Sequence, residues 1–330
     1  MKYFLAPLAG FTDAPFRRLC REGGADMVYT EMVSAAGLSH GSSPTRHLME
    51  IAPEEGKTAL QIFGAKEHDV AESLRLFRGV IEERFCEVNL NAGCPMTKIT
   101  REGAGAKLVD NPDTVYRLLK AMKENTSLPV TLKTRLGPHP ASTRIFELVS
   151  AAESAGAESV AVHARYTSQM HGGAVYLETL AEVVSKTSLP VIGNGSVVDG
   201  GSAAAMAETG VAAIMIGRAA LADPFVFSRL KSGTETPGAD GCRICRKHLG
   251  YILDFREQLA EAFPRDHIPS PDAFASVKMH THLFRYFGGR PGAAKLRAST
   301  GCGRLRRLRK RSRSSRREGT DESMDRFALR

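Results

Sequence analysis

The chain has 330 residues, 42% of them hydrophobic, which is enough for one large domain with a real core and a smaller one. Its six cysteines (Cys20, Cys86, Cys94, Cys242, Cys245, Cys302) are too sparse for a disulfide framework, no run of eighteen apolar residues occurs, and Pro7, Asp13 and Pro15 break up the N-terminal apolar stretch. These features exclude a disulfide-stapled secreted scaffold and a membrane-spanning helix, and make a cytoplasmic protein without a signal peptide the expectation. The net charge of +9 is concentrated, because residues 300–330 hold eleven Lys/Arg against four Asp/Glu and leave +2 for the first 299. Any polyanion held by the body of the chain must therefore meet local basic patches rather than a global field.

From the N-terminus onward, short apolar and β-branched runs alternate with stretches of helical spacing, the pattern of a parallel sheet covered by helices. Eight strands are predicted, at Tyr3–Leu8, Met27–Thr30, Thr58–Phe63, Cys86–Asn89, Val130–Thr134, Ser159–His163, Val191–Gly193 and Ala213–Ile216. Helices are predicted between them at Glu67–Glu82, Pro112–Asn125, Thr143–Ala155, Leu177–Thr187 and Gly201–Thr209, the second opened by the cap and first-turn pair Asn111-Pro112. Eight strand-then-helix units in about 230 residues match a closed (β/α)8 TIM barrel. A doubly wound open sheet would normally show a glycine-rich fingerprint after its first strand, where this chain reads Ala9-Gly10-Phe11-Thr12. Ser232–Gly241 reads as a linker, followed by helices at Arg243–Phe263 and Pro271–Tyr286, a turn at Gly288–Pro291 and a short helix at Gly292–Ser299. The predicted organisation is thus an α/β barrel over 1–231, a small helical domain over 232–299, and an Arg/Ser-rich tail over 300–330 whose low apolar content predicts disorder.

The reacting groups of such a barrel sit at the carboxyl ends of its strands. The first strand ends in Ala6-Pro7-Leu8-Ala9-Gly10, the third carries Gln61, and the fourth runs into Asn89-Leu90-Asn91-Ala92-Gly93-Cys94-Pro95. The fifth carries Lys133 and Arg135, two apart and so on one face; the sixth leads to His163-Ala164-Arg165 and then Gln169. The seventh ends in Gly193-Asn194-Gly195 and the eighth in Gly217-Arg218. Loops after the last two strands are where barrels commonly bind phosphate, with Gly193, Gly195 and Gly217 allowing close approach and Arg218 adding a permanent charge. Tight turns alone account for those glycines equally well. A buried lysine at a strand end is costly without a partner, which favours an anionic ligand beside Lys133. Elsewhere, Cys242-Arg243-Ile244-Cys245 is expected to be two ordinary thiols at a helix start, since no second CxxC or His pair completes four ligands, and no metal is expected. Cys20 and Cys86 read as core packing, and His40, His47 and His171 fall in loops over the barrel mouth, where His171 is a candidate for touching substrate.

Asn91-Ala92-Gly93-Cys94-Pro95, supported in order by Ala6–Asp13, Leu60-Gln61, Lys133-Thr134-Arg135, His163-Ala164-Arg165, Gly193-Asn194-Gly195 and Ile216-Gly217-Arg218, resembles the dihydrouridine synthases, over a span from Phe4 to about Ser299. The resemblance implies reduction of the C5=C6 bond of selected uridines in RNA, usually tRNA, to 5,6-dihydrouridine by an FMN enzyme with NADPH as reductant. It implies hydride delivery from reduced FMN to C6 and a proton from Cys94 to C5. A thiol with pKa near ~8.5 holds its proton at neutral pH, as a donor must. It further places Asn91 at the uracil edge, Lys133 at the flavin pyrimidine ring, and Gln61, His163, Asn194, Gly195, Gly217 and Arg218 on the ring edge, ribityl chain and phosphate. Ala6, Pro7 and Leu8 complete the cofactor set, and Arg135, Arg165 and Gln169 are assigned to the nucleotide. The target base must leave its stack, which is least costly in a flexible loop.

In the helical domain Lys278, His282, Arg285, Arg290, Lys295 and Arg297 are candidates for RNA backbone contacts. The tail departs from the family pattern and is either an RNA-binding arm or an accidental extension. Two other readings are a barrel flavoenzyme acting on a small pyrimidine, of the dihydroorotate dehydrogenase kind, and a non-catalytic RNA-binding protein. The first lacks the helical segment after Leu230, and the second leaves Cys94, Lys133 and His163 without a purpose. The sequence does not select the uridine position, tRNA over rRNA, or NADPH over NADH; a monomer is the working expectation.

Overall fold

The computed structural model describes residues 1–234 and 241–287. Its strands are β1 (Lys2–Leu5), β2 (Val28–Tyr29), β3 (Val33–Ser34), β4 (Thr58–Phe63), β5 (Glu87–Ala92), β6 (Val130–Arg135), β7 (Val160–His163), β8 (Val191–Asn194) and β9 (Ala213–Ile216). They pair in the order β1-β9-β8-β7-β6-β5-β4-β2, every pair parallel, with β3 also on β4. A parallel bridge between Phe4 and Met27, with Leu5 N donating to Met27 O at 2.9 Å, closes the ring. Since β2 and β3 occupy one position in that ring, this is the expected eight-position (β/α)8 barrel.

The departures from the predicted strands have local causes. The second strand was expected to run unbroken through Thr30, but there the Thr30 hydroxyl accepts the Gln61 N–H at 3.0 Å, so a side chain stands in for a ladder carbonyl. Glu31 then turns its carboxylate to the Gly10 N–H, and pairing resumes at Val33. β5 runs three residues past its predicted end because its inward side chains, Asn89 and Asn91, are polar. They read as the end of a strand in the sequence, yet are hydrogen-bonded inside the barrel. The apolar interior mixes small and large residues, with Ala6, Ala59, Ala161 and Ala213 interleaved with Met27, Tyr29, Ile192 and Met215.

Helices cover the outside. Ala14–Glu22 is capped by Asp13, which accepts from Phe16 N, and Pro112–Asn125 by Asn111, which accepts from Thr114 N. The helix predicted over Glu67–Glu82 is two, Glu67–Leu76 and Arg78–Arg84, parted at Phe77, whose backbone (φ −109°, ψ 13°) leaves the helical region. Ile145–Ser154, Leu177–Ser185 and Gly200–Glu208 fall within two residues of their predicted bounds, and Arg218–Ala222 and Val226–Ser232 follow β9.

A buried ion pair ties the first helix to the loop before β4. Arg17, 1% exposed, meets Glu55, fully buried, at 2.7 Å and also donates to the carbonyls of Thr12 and Glu50. Burial pushes the Glu55 carboxyl upward and the Arg17 charge opposes it. Arg17→Ala strands that carboxylate, so a loss of about 3–5 kcal/mol is expected in urea unfolding; a loss below about 1 kcal/mol, the level of a surface pair, would contradict this account.

The contact pattern separates a second compact unit holding Leu221–Asp223 and the helices Gly241–Ala262 and Pro271–Tyr286. The two helices lie against each other and bury Ile244, Ile252, Phe255, Leu259, Met279 and Leu283. His248 and His282 meet edge to face at 4.5 Å, and Tyr286 Oη lies 2.9 Å from His248 Nδ1. His282 is therefore a core residue and not part of an RNA-facing set, because the buried stripe of its helix includes that position. Cys242 and Cys245 lie in the first turns of Gly241–Ala262, where burial pushes the Cys245 thiol up to about 12. Most of the predicted linker, the turn at Gly288–Pro291, the helix at Gly292–Ser299 and the tail lie outside the described residues. No described helix is long and apolar enough to cross a membrane, and no group of three or more His, Cys, Asp or Glu among the described residues could hold a metal ion.

Candidate active site at the carboxyl ends of the strands

Parallel register places the polar residues of adjacent strands side by side. Gln61 is level with Asn89, Asn91 with Lys133, Arg135 with His163, and His163 with Asn194. Asn91 ends its strand in an Asx-type turn. Its Oδ1 accepts the N–H groups of Gly93 (3.2 Å) and Cys94 (3.0 Å), while its Nδ2 donates to Gln61 Oε1 (2.8 Å). Gln61 in turn donates to Asn89 Oδ1 at 2.7 Å. The side chain that fixes the Cys94 backbone is thus itself fixed from inside the barrel.

Gly105 supports the same loop from behind. It has φ +59°, and a β-carbon added there would lie 2.7 Å from the Cys94 carbonyl oxygen and 2.8 Å from Ile99 Cγ2, while Ala106 N donates to that oxygen at 2.8 Å. Gly105→Ala is expected to cost about 1–3 kcal/mol from the strained backbone alone, read as a lower urea midpoint. An unchanged midpoint would show that the Cys94 loop gives way freely.

Electrostatics distinguish the groups that gather here. Loss of water around the Lys133 ammonium lowers its pKa from 10.5 to about 7, and the Arg135 charge acts the same way. Among the described residues its hydrogen-bond partner is Asn194 Oδ1 at 3.2 Å, and it forms no ion pair. Asn194 is oriented for this by donating to Met215 O at 2.7 Å. Burial pushes the Cys94 thiol up, against the smaller pull of a backbone hydrogen bond and of Arg135 and Lys133. His163 is driven well below its usual pKa by burial, then by Lys133, Arg135 and Arg165, so its ring is neutral. Arg165 Nη1 lies 3.2 Å from His163 Nε2; a guanidinium only donates, so Nε2 accepts and the neutral ring carries its proton on Nδ1. His171 stacks on His163 at 6.3 Å.

The residues assigned to the nucleotide have most of their polar atoms hydrogen-bonded within the protein. Arg135, lowered to about 10 by burial, donates to the carbonyls of Gly93, Tyr166 and Met170. Arg165 donates to Gly173 O and Ser196 Oγ, and Gln169 closes its own loop on Tyr166 N and Ala174 O. Met170 (φ +53°) and Ser196 (φ +52°), both in the left-handed region, are held there by these arginines.

Of the glycines read as a phosphate cradle, Gly195 (φ +139°) borders His163 and Val175, and Gly217 borders Ala6 and Leu8, which brings the first and last strand ends together. Gly193 does not belong with them. A β-carbon there would lie 2.6 Å from Met206 Sδ, so its missing side chain makes room for a covering helix, as alternation along β8 requires. Sequence reasoning had no signal for Asn89 and Thr131, which continue the polar network below Gln61, because polar side chains within a short strand suggest solvent.

The site is thus an electropositive mouth on a parallel barrel, with a protonated thiol, a desolvated lysine and a neutral histidine at the ends of successive strands, the position at which barrel enzymes carry their active sites. Comparison with known proteins makes the class specific. The sequence model of the Dihydrouridine synthase (Dus) family matches residues 4–266, and the chain belongs to that family. It is 31% identical over 288 residues to the tRNA-dihydrouridine synthase B of Vibrio vulnificus, covering 79% of this chain and 88% of the relative. It is 33% identical to the tRNA-dihydrouridine synthase B of Escherichia coli K12, covering 76% and 79%. Among solved structures, morphinone reductase superposes with a TM-score of 0.51 at 13% identity over 74% of this chain and 88% of that one, a likeness of fold alone.

Proposed function

We propose that this chain reduces uridines of tRNA to 5,6-dihydrouridine, with FMN in the barrel mouth and NADPH as the external reductant. The observation that carries the reading is the pairing of Asn91 with Lys133 across β5 and β6, which sets the Cys94 turn beside a desolvated lysine. The tRNA substrate comes from the names of the relatives.

The residues present fit a flavin phosphate. A half-buried, desolvated ammonium without an acidic partner calls for an anion, Gly217 is half-exposed and leaves the backbone approachable, and Arg218 at the start of its helix adds an exposed charge. Lys133, Gln61, His163, Asn194, Gly195, Gly217, Arg218 and Ala6–Leu8 would hold it, with His163 offering its Nδ1–H. When bound, the flavin supplies the hydride for C6 of the base.

The protein's own groups do the rest. The Cys94 thiol, pushed up by burial, keeps its proton until C5 needs it. Lys133 presents a preorganised positive charge to negative charge on the ligand beside it. Asn91 holds the Cys94 turn with its Oδ1 and keeps one amide hydrogen for the uracil edge. Arg135, Arg165 and Gln169 serve the nucleotide by shaping loops 93–95 and 166–173 around it, and Lys278 and Arg285 are proposed to meet RNA phosphates. In solution the purified protein should be yellow, bleach with NADPH, and regain colour when tRNA lacking dihydrouridine is added. A colourless preparation that does not take up FMN, or a reduced flavin that such tRNA does not reoxidise, would overturn the reading.

A further inference from the structure

The hydrogen bonds that orient Gln61 and Asn91 do not stop at the mouth. Below Gln61, Asn89 Nδ2 donates to Thr131 Oγ1 at 2.8 Å, and the Thr131 hydroxyl donates to Glu87 Oε1 at 2.9 Å. The Tyr29 hydroxyl also bonds Glu87. Glu87, Asn89 and Asn91 alternate along β5, so all three project from one face, and Gln61, Asn89 and Thr131 are lateral neighbours on β4, β5 and β6. The result is one continuous chain from the base of the barrel to the Cys94 N–H.

This chain has a direction. The Thr131 hydroxyl gives its one proton to Oε1 of Glu87, whose carboxyl is pushed up by burial, and is left to accept from Asn89. That choice turns Asn89 Oδ1 to Gln61, which turns Gln61 Oε1 to Asn91, which leaves Asn91 Oδ1 for the two backbone N–H groups of the turn. At the other end those N–H groups only donate. The two ends agree, and no amide between them can flip without leaving a buried group unpaired. We propose that Glu87, Thr131 and Asn89 are positioning residues for the reaction: from the base of the barrel they lock the donor–acceptor sense of Gln61 and Asn91 and so hold the Cys94 thiol in place. The inference rests on the proposed proton-donor role of Cys94.

Its test compares Thr131→Val, Thr131→Ser and Glu87→Gln in the full-length protein as purified. The readout is the rate of Cys94 alkylation by iodoacetamide, followed on its own peptide by mass spectrometry. Thr131→Val removes the hydroxyl at nearly constant volume and should release the turn, raising the rate about three- to tenfold, the scale of one lost buried hydrogen bond. Thr131→Ser keeps the hydroxyl and should restore the wild-type rate. Glu87→Gln, whose amide can present either atom, should move the rate the same way by less, and stands in if the valine variant does not fold. Equal Cys94 rates in wild type and in the folded disrupting variants would overturn the proposal, as would a serine variant that behaves like valine. Turnover on tRNA is read separately, with kcat expected to fall and KM to hold. A wild-type chain that forms no dihydrouridine would remove the proposed function, while the alkylation comparison would still decide whether the chain reaches the thiol.

Discussion

Cys94→Ala should keep its flavin and lose about 10²–10⁴-fold in turnover on tRNA that lacks dihydrouridine, the usual worth of a positioned acid. The substitution is clean because the turn is held through the backbone. The N–H of residue 94 still donates to Asn91 Oδ1, its carbonyl still accepts from Ala106, and only the sulfur is lost. Burial keeps the thiol protonated at neutral pH against the pull of Lys133 and Arg135, so what disappears is a stored proton. Single-turnover reoxidation of the NADPH-reduced protein measures the loss. Full activity in the alanine variant would eliminate the proton-donor role.

Lys133→Met should reduce turnover by about 10²–10³-fold, the effect of removing one preorganised charge from a dry site. It should also stabilise the protein when no flavin is bound, and the sign follows from the pKa. Lys133 falls from 10.5 to about 7 in the fold, so between those values the unfolded chain holds a proton that the folded chain has released. Stability therefore rises with pH across that window, and the burden of the buried charge is complete below about pH 7. Methionine removes the burden. The flavin-free variant should melt above wild type at pH 6.5, and the two should converge as pH approaches 10. A difference that does not change with pH would mean that Lys133 is not desolvated as described.

Much of the barrel could be read from the chain because parallel strands buried on both faces carry uninterrupted apolar runs, and all eight predicted strands coincide with observed ones to within three residues at either end. What the chain did not show is that pairing resumes at Val33–Ser34 after a break at Thr30, where a threonine hydroxyl replaces a backbone carbonyl, an exchange with no periodic signature. Site residues at strand ends could be placed because the topology fixes where a strand must stop. Their partners could not. Arg135 and Arg165 spend their donors on loop carbonyls and the Ser196 hydroxyl, beside positive-φ backbone at Met170 and Ser196 that no residue type announces. Likewise, Gly193 and Gly195 look alike in the sequence, yet one makes room for Met206 and the other faces His163.

The most direct measurement is a position-by-position map of dihydrouridine in tRNA from cells with the gene, without it, and with the gene restored as wild type or as Cys94→Ala. The account predicts a defined set of uridines that lose the modification without the gene and regain it only with the wild-type copy. A map unchanged by the deletion, or fully restored by the alanine copy, would contradict it.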